Sequence, residues 1–337
     1  MDIALLPKFL QVELTYSCNS RCAFCYNPMH KTKKNDPVIT KVLSEVNAYK
    51  LDHVQLIGGE VTVLKDLPGY LSLLDKAKWK SIVTNGRIFR ADITSLVDEI
   101  YISLHGKSHT HEEITGAPNS FLEITKNIEK YVQNGIEVNS DTVLTKYNYS
   151  EVYDIAKMAK DLGMSRLFLN IFQPEGLAST RPDFSPSIYQ IRSAIDQMLR
   201  AREDFQIEML FGTSTPYCLD ERLITEDLAF TCGAGTWFAS INPSGELRIC
   251  NHSNKPYGNI LKEPLNKIWH SRNIDFEYRN KELAEPVCRD CPFMSQCLGG
   301  CRINSDGTYR VDPIVIRDQL QILPLTRRKQ LFATTVN

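Results

Sequence analysis

What this sequence of 337 residues lacks narrows it before any motif is read. It has no excess of charge: 39 Lys and Arg face 40 Asp and Glu, a formal net charge of -1, so no broad basic field draws in nucleic acid or an anionic membrane. No run is apolar over the roughly 18 residues that a membrane span needs. The start, "MDIALLPKFLQVELTYSC", has no cationic head, long apolar run and small-residue cleavage site of a secretory signal. There is no internal repeat and no low-complexity tract. These absences lead us to expect a cytoplasmic protein with no nucleic-acid and no membrane partner. In that compartment thiols stay reduced, and a chain of this length can bury a core without covalent staples. Its 10 cysteines therefore point to metal or redox chemistry more than to disulfides.

The cysteines fall into two sets: Cys18, Cys22 and Cys25 near the start, and Cys218, Cys232, Cys250, Cys288, Cys291, Cys297 and Cys301 behind residue 210. Between them the pattern alternates. "FLQVELTY" at 9–16 has the period of a strand, and β-branched runs recur at "HVQLIG", "SIVTNG", "EIYISLHG", "VNSDTVLT" and "SRLFLNIF". Helical spacing separates them. Ser120 with Glu123 has the spacing of a capping box ahead of Ile124, Ile128 and Tyr131, with Gly135 as the stop, and a second helix is expected from Ser150 to Gly163. Strand and helix alternating about six times imply parallel strands with right-handed crossovers, in a barrel or an open doubly wound sheet, and either puts its chemistry at the strands' C-terminal ends. Cys18, the Gly58-Gly59-Glu60 turn, Asn85, and Ser103 with His105 all fall there. From about residue 206 the chain reads as loop-rich and cysteine-rich, as a small domain organised by metal would.

"YSCNSRCAFCYN", residues 16 to 27, spaces its thiols CxxxCxxC. On a helix they would share one face, but Asn19, Ser20 and Arg21 directly after a strand suit a loop. A structural zinc ion takes four ligands, and only His30 lies near enough in sequence to serve as the fourth. A cubane iron–sulfur cluster has four irons, so three thiolates leave one open to an exogenous ligand.

Cys18, Cys22, Phe24 and Cys25 match CxxxCx-aromatic-C, and in this the sequence resembles the radical S-adenosylmethionine superfamily. "GGEVT" at 58–62 is similar to that family's GGEPT, with Val61 in place of proline. The resemblance implies an α/β fold, a partial (β/α)6 TIM-like barrel. It also implies a 4Fe-4S cluster on the three front cysteines, with S-adenosylmethionine on the open iron, Phe24, Gly58, Gly59 and Glu60 beside it, and Asn85 and Ser103 near its nucleoside. Glu60 is expected to accept from the methionine ammonium.

Cys232, Gly245 and Cys250, followed by "CRDCPFMSQCLGGC" at 288–301, resemble the SPASM domain, a C-terminal module with two auxiliary 4Fe-4S clusters; CxxC alone also occurs in zinc ribbons. Three clusters in all are thus implied. Full thiolate ligation at the rear needs two sets of four, one more cysteine than the chain has. By resemblance Cys232, Cys250 and Cys301 hold the first auxiliary cluster with Cys218 as the fourth ligand, and Cys288, Cys291 and Cys297 hold the second. The second cluster's usual last cysteine falls at "DPIV", 312–315, where Val315 cannot ligate, so Asp312 or Asp306 is expected there, or an open iron. Cys218 has a second candidate role, a free thiol donating hydrogen to a substrate radical. The expected domains are 1–205 for the barrel, 206–320 for the auxiliary-cluster domain and 321–337 for a tail.

The resemblance implies cleavage of S-adenosylmethionine to a 5′-deoxyadenosyl radical that abstracts hydrogen from a peptide or protein, with crosslinking, thioether formation, epimerisation or oxidation as the outcome. The alternative is a small molecule such as a sugar or aminocyclitol; an electron carrier without catalysis is a third. With the first strand starting within ten residues of Met1, a peptide is expected to be recognised by a separate leader-binding protein or at the barrel mouth. An external flavodoxin- or ferredoxin-type donor is expected to supply electrons. Sulfatase-type maturation ranks low, because those relatives carry an aspartate base after the cysteine corresponding to Cys250 and this chain has Asn251. The basic loop at 29–36 reads as a solvated face, and His105, His109 and His111 as surface or capping residues.

Overall fold

The structure is a computed structural model that describes residues 5–31, 36–229, 231–271, 282, 284–303 and 312–335. Seven strands run in parallel and in chain order: β1 (Phe9–Glu13), β2 (His53–Ile57), β3 (Trp79–Thr84), β4 (Glu99–Ile102), β5 (Glu137–Leu144), β6 (Arg166–Ile171) and β7 (Glu208–Phe211). Helices α1 (Asp36–Asn47), α2 (Leu67–Ser72), α3 (Ser108–Thr115), α4 (Ser120–Gln133), α5 (Val152–Asp161) and α6 (Ile188–Phe205) lie between them. The chain continues through α7 (Arg222–Thr225), β8 (Phe238–Ile241), β9 (Glu246–Arg248), β10 (Gly258–Asn259) and α8 (Leu265–Ser271). It ends in α9 (Pro286–Arg289), α10 (Met294–Cys297), α11 (Pro313–Arg317) and α12 (Leu325–Thr335).

All strands join one open sheet in the order β10-β9-β8-β1-β2-β3-β4-β5-β6-β7, the partial barrel that the resemblance implied. It extends past that expectation at both edges. β7 lies beyond residue 205 and still pairs in parallel with β6, while β8 pairs in parallel with β1, Phe9 opposite Phe238 and Val12 opposite Ile241. Ala239, Ile241, Leu247 and Trp269 consequently share the core of Leu10, Val54 and Leu56, so no break in the core falls at 205/206.

One face of each strand supplies the apolar residues of that core. Leu10, Val12, Leu56, Ile82, Ile100 and Leu169 are fully buried with Val42 and Leu43 of α1, Ile124 and Ile128 of α4, and Ile191 and Ile195 of α6. The other face is polar at the strands' N-terminal ends and closed by hydrogen bonds from strand to strand. Gln11 donates to Gln55 (2.8 Å), Gln55 to Ser81 (3.0 Å), and Asn139 (2.9 Å) and Arg166 (3.1 Å) both donate to Glu99.

The expected helices are present, with one difference. α4 begins after Asn119, which is left-handed at φ 63° and makes no side-chain cap, and Glu123 pairs with Arg87 (2.7 Å) instead of closing a box with Ser120. A charged partner from another element outcompetes the backbone there. The two-sided capping box stands at α6, between Ser187 and Gln190. Among the described residues no helix is long and apolar enough to cross a membrane.

Candidate metal centres

The front cysteines lie on a loop, as Asn19-Ser20-Arg21 suggested, and several elements clamp it. Beneath it the Gly59 N–H donates to Thr15 O (2.6 Å) and the Glu60 N–H to Ser17 O (2.9 Å). The two chains approach so closely that a Cβ on Gly58 would stand 2.3 Å from Thr15 O, and one on Gly59 2.3 Å from Ser17 O. Only glycine fits either place. On another side Arg21 N–H and Ala23 N–H donate to Thr115 O and Ile114 O at the end of α3 (3.1 and 2.9 Å), and the Ala178 N–H donates to Cys25 O (2.9 Å). Phe24 packs edge-on against His105 at 4.6 Å.

Burial pushes the thiols of Cys18, Cys22 and Cys25 up, Cys25 to about 11. Cys22 is raised further by Cys25 and Cys18, and Cys25 by Cys18, so the three sulfurs lie within electrostatic reach of one another. The Ser20 N–H donates to Cys18 Sγ at 3.4 Å. Among the described residues no three His, Cys, Asp or Glu side chains are gathered as a single metal ion would need. Residues 32–35 of the basic loop lie outside the described residues.

Glu60 links this loop to the next strand end. Its Oε1 accepts from the Thr62 N–H (3.0 Å), the Thr62 hydroxyl (2.7 Å) and the Thr84 hydroxyl (2.6 Å), and its Oε2 from the Asn85 N–H (2.6 Å). The carboxylate is thus already bonded within the protein on both oxygens. Oε1 is taken up inside the protein, and Oε2 is the oxygen with acceptor capacity to spare. Asn85 in turn donates to Asn19 Oδ1 (2.7 Å) and Ser20 Oγ (3.3 Å) and faces Cys18 Sγ at 3.9 Å, so it touches the cysteine loop directly. Ser103, at the end of β4, is tied back to Thr84 O through its N–H (3.1 Å).

The histidines depart from the expected surface role. His105 and His111 are each 2 % exposed, and burial pushes both imidazoles down, His111 to about 4. They are neutral packing groups behind Phe24. Only His109 is exposed, opposite Glu113. Sequence reading missed Asp141 on β5 and Asn170 on β6, which hydrogen-bond to each other on the strand face opposite the apolar core; burial raises the Asp141 carboxyl to about 6. Their one signal was a polar residue inside each β-branched run, "VNSDTVLT" and "LFLNIF".

At the rear the structure regroups the thiols. Cys218, expected with Cys232, Cys250 and Cys301, instead lines a small cavity with Cys288, Cys291 and Cys297. Its thiol is raised by burial and then by the nearness of Cys297 and Cys288. The reason is chain geometry: the 216–219 turn is held to the last segment by the Leu323 N–H on Cys218 O (2.8 Å) and to Cys297 Sγ by the Tyr217 N–H (3.4 Å).

Asp312, expected at the second cluster, stands with the other set. Burial raises the Cys301 thiol, with Asp312, Cys250 and Cys232 as its charged neighbours. The Asp312 carboxylate already accepts the Ile314 N–H (3.0 Å) at the start of α11, and burial lifts it to about 6. Asp306 lies outside the described residues. The front and rear loops meet where Tyr26, next to Cys25, packs on His252 (4.8 Å) and hydrogen-bonds Asn251, which follows Cys250.

Comparison with known proteins finds family matches in both parts of the chain. Residues 12–159 match the model of the radical SAM superfamily and residues 232–292 that of an iron-sulfur cluster-binding domain, SPASM. The PqqA peptide cyclase of Rhizobium meliloti (strain 1021) is 24% identical over 98% of this chain and 93% of its own length. That of Methylobacterium sp. (strain 4-46) is 25% identical over 88% and 81%. Among solved structures, Streptococcus suis SuiB bound to its precursor peptide SuiA superposes with a TM-score of 0.74 at 16% identity, covering 93% of this chain and 76% of SuiB. Native anSMEcpe with bound AdoMet gives 0.69 at 16%, covering 98% and 99%. At these identities the two structures establish the fold.

Proposed function

Because this chain carries a radical SAM domain followed by a SPASM domain, we propose that it is a radical enzyme that modifies a peptide or protein. Crosslinking, thioether formation, epimerisation or oxidation during ribosomal peptide maturation are the outcomes in view. The observation that carries this reading is the front loop, where three thiols within electrostatic reach of one another follow a strand end that rests on a glycine pair and a buried glutamate. The peptide class is supported by the PqqA peptide cyclases, which align over nearly the whole chain, and by SuiB, whose structure holds its precursor peptide.

The donors fit the cofactors this requires: soft thiols in threes and fours, buried, with backbone N–H groups on Cys18 Sγ and Cys297 Sγ. Cys18, Cys22 and Cys25 would hold a 4Fe-4S cluster, and Phe24, Gly58, Gly59, Glu60, Asn85 and Ser103 would border S-adenosylmethionine. When bound, that pair supplies reductive cleavage of a sulfonium and so starts hydrogen abstraction from carbon, chemistry that no side chain provides.

The chain's own part is positional. Gly58 and Gly59 let the cysteine loop rest directly on the second strand end. Glu60 fixes Thr84 and Asn85 with buried hydrogen bonds, and Asn85 fixes Asn19 and Ser20 beside Cys18. Tyr26 on His252 keeps the front and rear loops in contact. The seven rear cysteines would hold two further clusters, three in all. A leader-binding protein, a flavodoxin- or ferredoxin-type donor and a cytoplasmic location, where thiols stay reduced, complete the proposal.

The test is co-expression with the short peptide encoded beside the gene, deuterated at its side chains and α-carbons. Deuterium passing into 5′-deoxyadenosine, with a modified peptide in the mass spectrum, is the expected result. Deuterium transfer from a sugar or aminocyclitol and none from peptide would overturn the substrate class.

A further inference from the structure

Cys218 precedes the SPASM match by 14 residues, 218 against a start at 232, and no other described cysteine lies between them. The space it lines is shared with Cys288, Cys291, Cys297, Phe293 and Met294. Both sides of its turn are fixed: the Leu323 N–H on Cys218 O (2.8 Å), Arg192 Nε on Leu219 O (2.8 Å) and the Tyr217 N–H on Cys297 Sγ (3.4 Å). The turn also lies hard against the loop after Cys297, where a Cβ on Gly300 would come within 2.4 Å of Pro216 Cγ. Cys218 is thus held at this cavity by contacts on three segments.

A second observation is independent of the cysteines. Arg328 of α12 lines the same cavity and is 4 % exposed. Its Nη1 donates to Val287 O (3.1 Å), but its Nε finds no hydrogen-bond partner among the described residues. A buried guanidinium with an idle donor is strongly unfavourable unless an anion is present, and a cluster on four thiolates is such an anion. Asp312 is not among the residues lining this space.

We propose that Cys218 is the fourth thiolate of the Cys288, Cys291 and Cys297 site, with Arg328 as its buried counter-charge. The usual last cysteine, absent at Val315, is thereby replaced by one from upstream. Cys232, Cys250 and Cys301 are then left with three thiolates, with Asp312 beside Cys301. This assignment rests on the proposed radical SAM reading.

The test is anaerobic reconstitution of the full chain, followed by iron and sulfide analysis and electron paramagnetic resonance of the reduced protein. Cys218→Ala and Cys288→Ala should each remove the same one of three cluster signals and about a third of the iron. The double variant should remove no more. Cys250→Ala should remove a different signal, and Asp312→Ala should spare the one lost in Cys218→Ala. Cys218→Ser should keep the iron with a shifted spectrum and midpoint potential, an outcome that a merely structural thiol would not give. In every variant the front-cluster signal should still shift on adding S-adenosylmethionine, which reports the underlying reading independently. Full iron with an unchanged spectrum in Cys218→Ala, or loss of the same signal as in Cys250→Ala, would overturn the assignment.

Discussion

At the residue scale the front site turns on Glu60. Four donors from three residues end on its carboxylate, and it is 1 % exposed, so Glu60→Ala strands buried N–H and O–H groups at two strand ends. That should cost about 3 kcal/mol or more in urea unfolding. Glu60→Gln should fall between the variant and the parent, since an amide keeps one acceptor but turns a donor toward either Asn85 N–H or the threonines. Both should lower front-cluster yield, measured as iron per chain in a protein whose rear cysteines are replaced; normal yield from Glu60→Ala would count against the positioning role.

Asp141 gives a pH test at the same scale. Its folded pKa of about 6 lies above the ordinary 3.8 because of burial. The native state therefore holds the extra proton, and the stabilisation is complete below about pH 3.8 and is lost as pH rises through about 6. Asp141→Asn does not titrate. Its stability relative to the parent should rise by about 1 kcal/mol between about pH 5 and about pH 7. A flat difference would mean that the carboxyl is not desolvated. The cysteine trio and "GGE" are legible in the sequence because their spacing is the signal. Asp141 and Asn170 are not, because a polar residue in a strand means nothing until the pleat assigns it a face.

At the scale of elements, the tail after residue 320 is part of the rear site. Leu331 of α12 is 5 % exposed and packs with Phe293 and Cys297, and Arg328 one turn earlier lines the four-cysteine cavity. Leu331→Ala should destabilise by about 2–4 kcal/mol in denaturant unfolding. It should also lower rear-cluster iron while sparing the front loop. An unaltered midpoint would show that α12 is only peripheral. Nothing local in "LTRRKQLFATT" announced this contact, since its apolar face becomes meaningful only against Phe293.

The parallel strands β1 to β6 were legible, each a β-branched run bounded by turn residues. β7 is four residues long and blends into the loop-rich segment by pattern, and the pairing of β8 with β1 spans more than 220 positions, beyond any local signal. The capping-box reading at Ser120 failed for the same reason, because Glu123's partner, Arg87, comes from elsewhere in the chain.

At the scale of the whole molecule, the barrel and the rear segment share one apolar core. β8 extends the sheet from β1, and Arg248 of β9 donates to Glu13 of β1, both buried, while burial lifts the Glu13 carboxyl to about 7. The cysteine distribution made two centres legible, but it could not reveal that they share a core. Backbone circular dichroism and tryptophan fluorescence, from Trp79 on β3 and Trp269 on α8, should therefore report a single coincident unfolding transition. Arg248→Ala, which leaves the buried Glu13 carboxyl with the Tyr16 hydroxyl but without its guanidinium donor, should destabilise by about 1–3 kcal/mol at neutral pH. Two separated transitions would contradict a shared core.

The central claim, that three thiolates hold a cluster whose free iron takes S-adenosylmethionine, is tested most directly by 5′-deoxyadenosine release. Full-length protein, reconstituted anaerobically and reduced by dithionite, should convert S-adenosylmethionine to 5′-deoxyadenosine, and Cys22→Ala should convert none. An iron-loaded protein that leaves S-adenosylmethionine intact, or a Cys22→Ala variant as active as the parent, would contradict it.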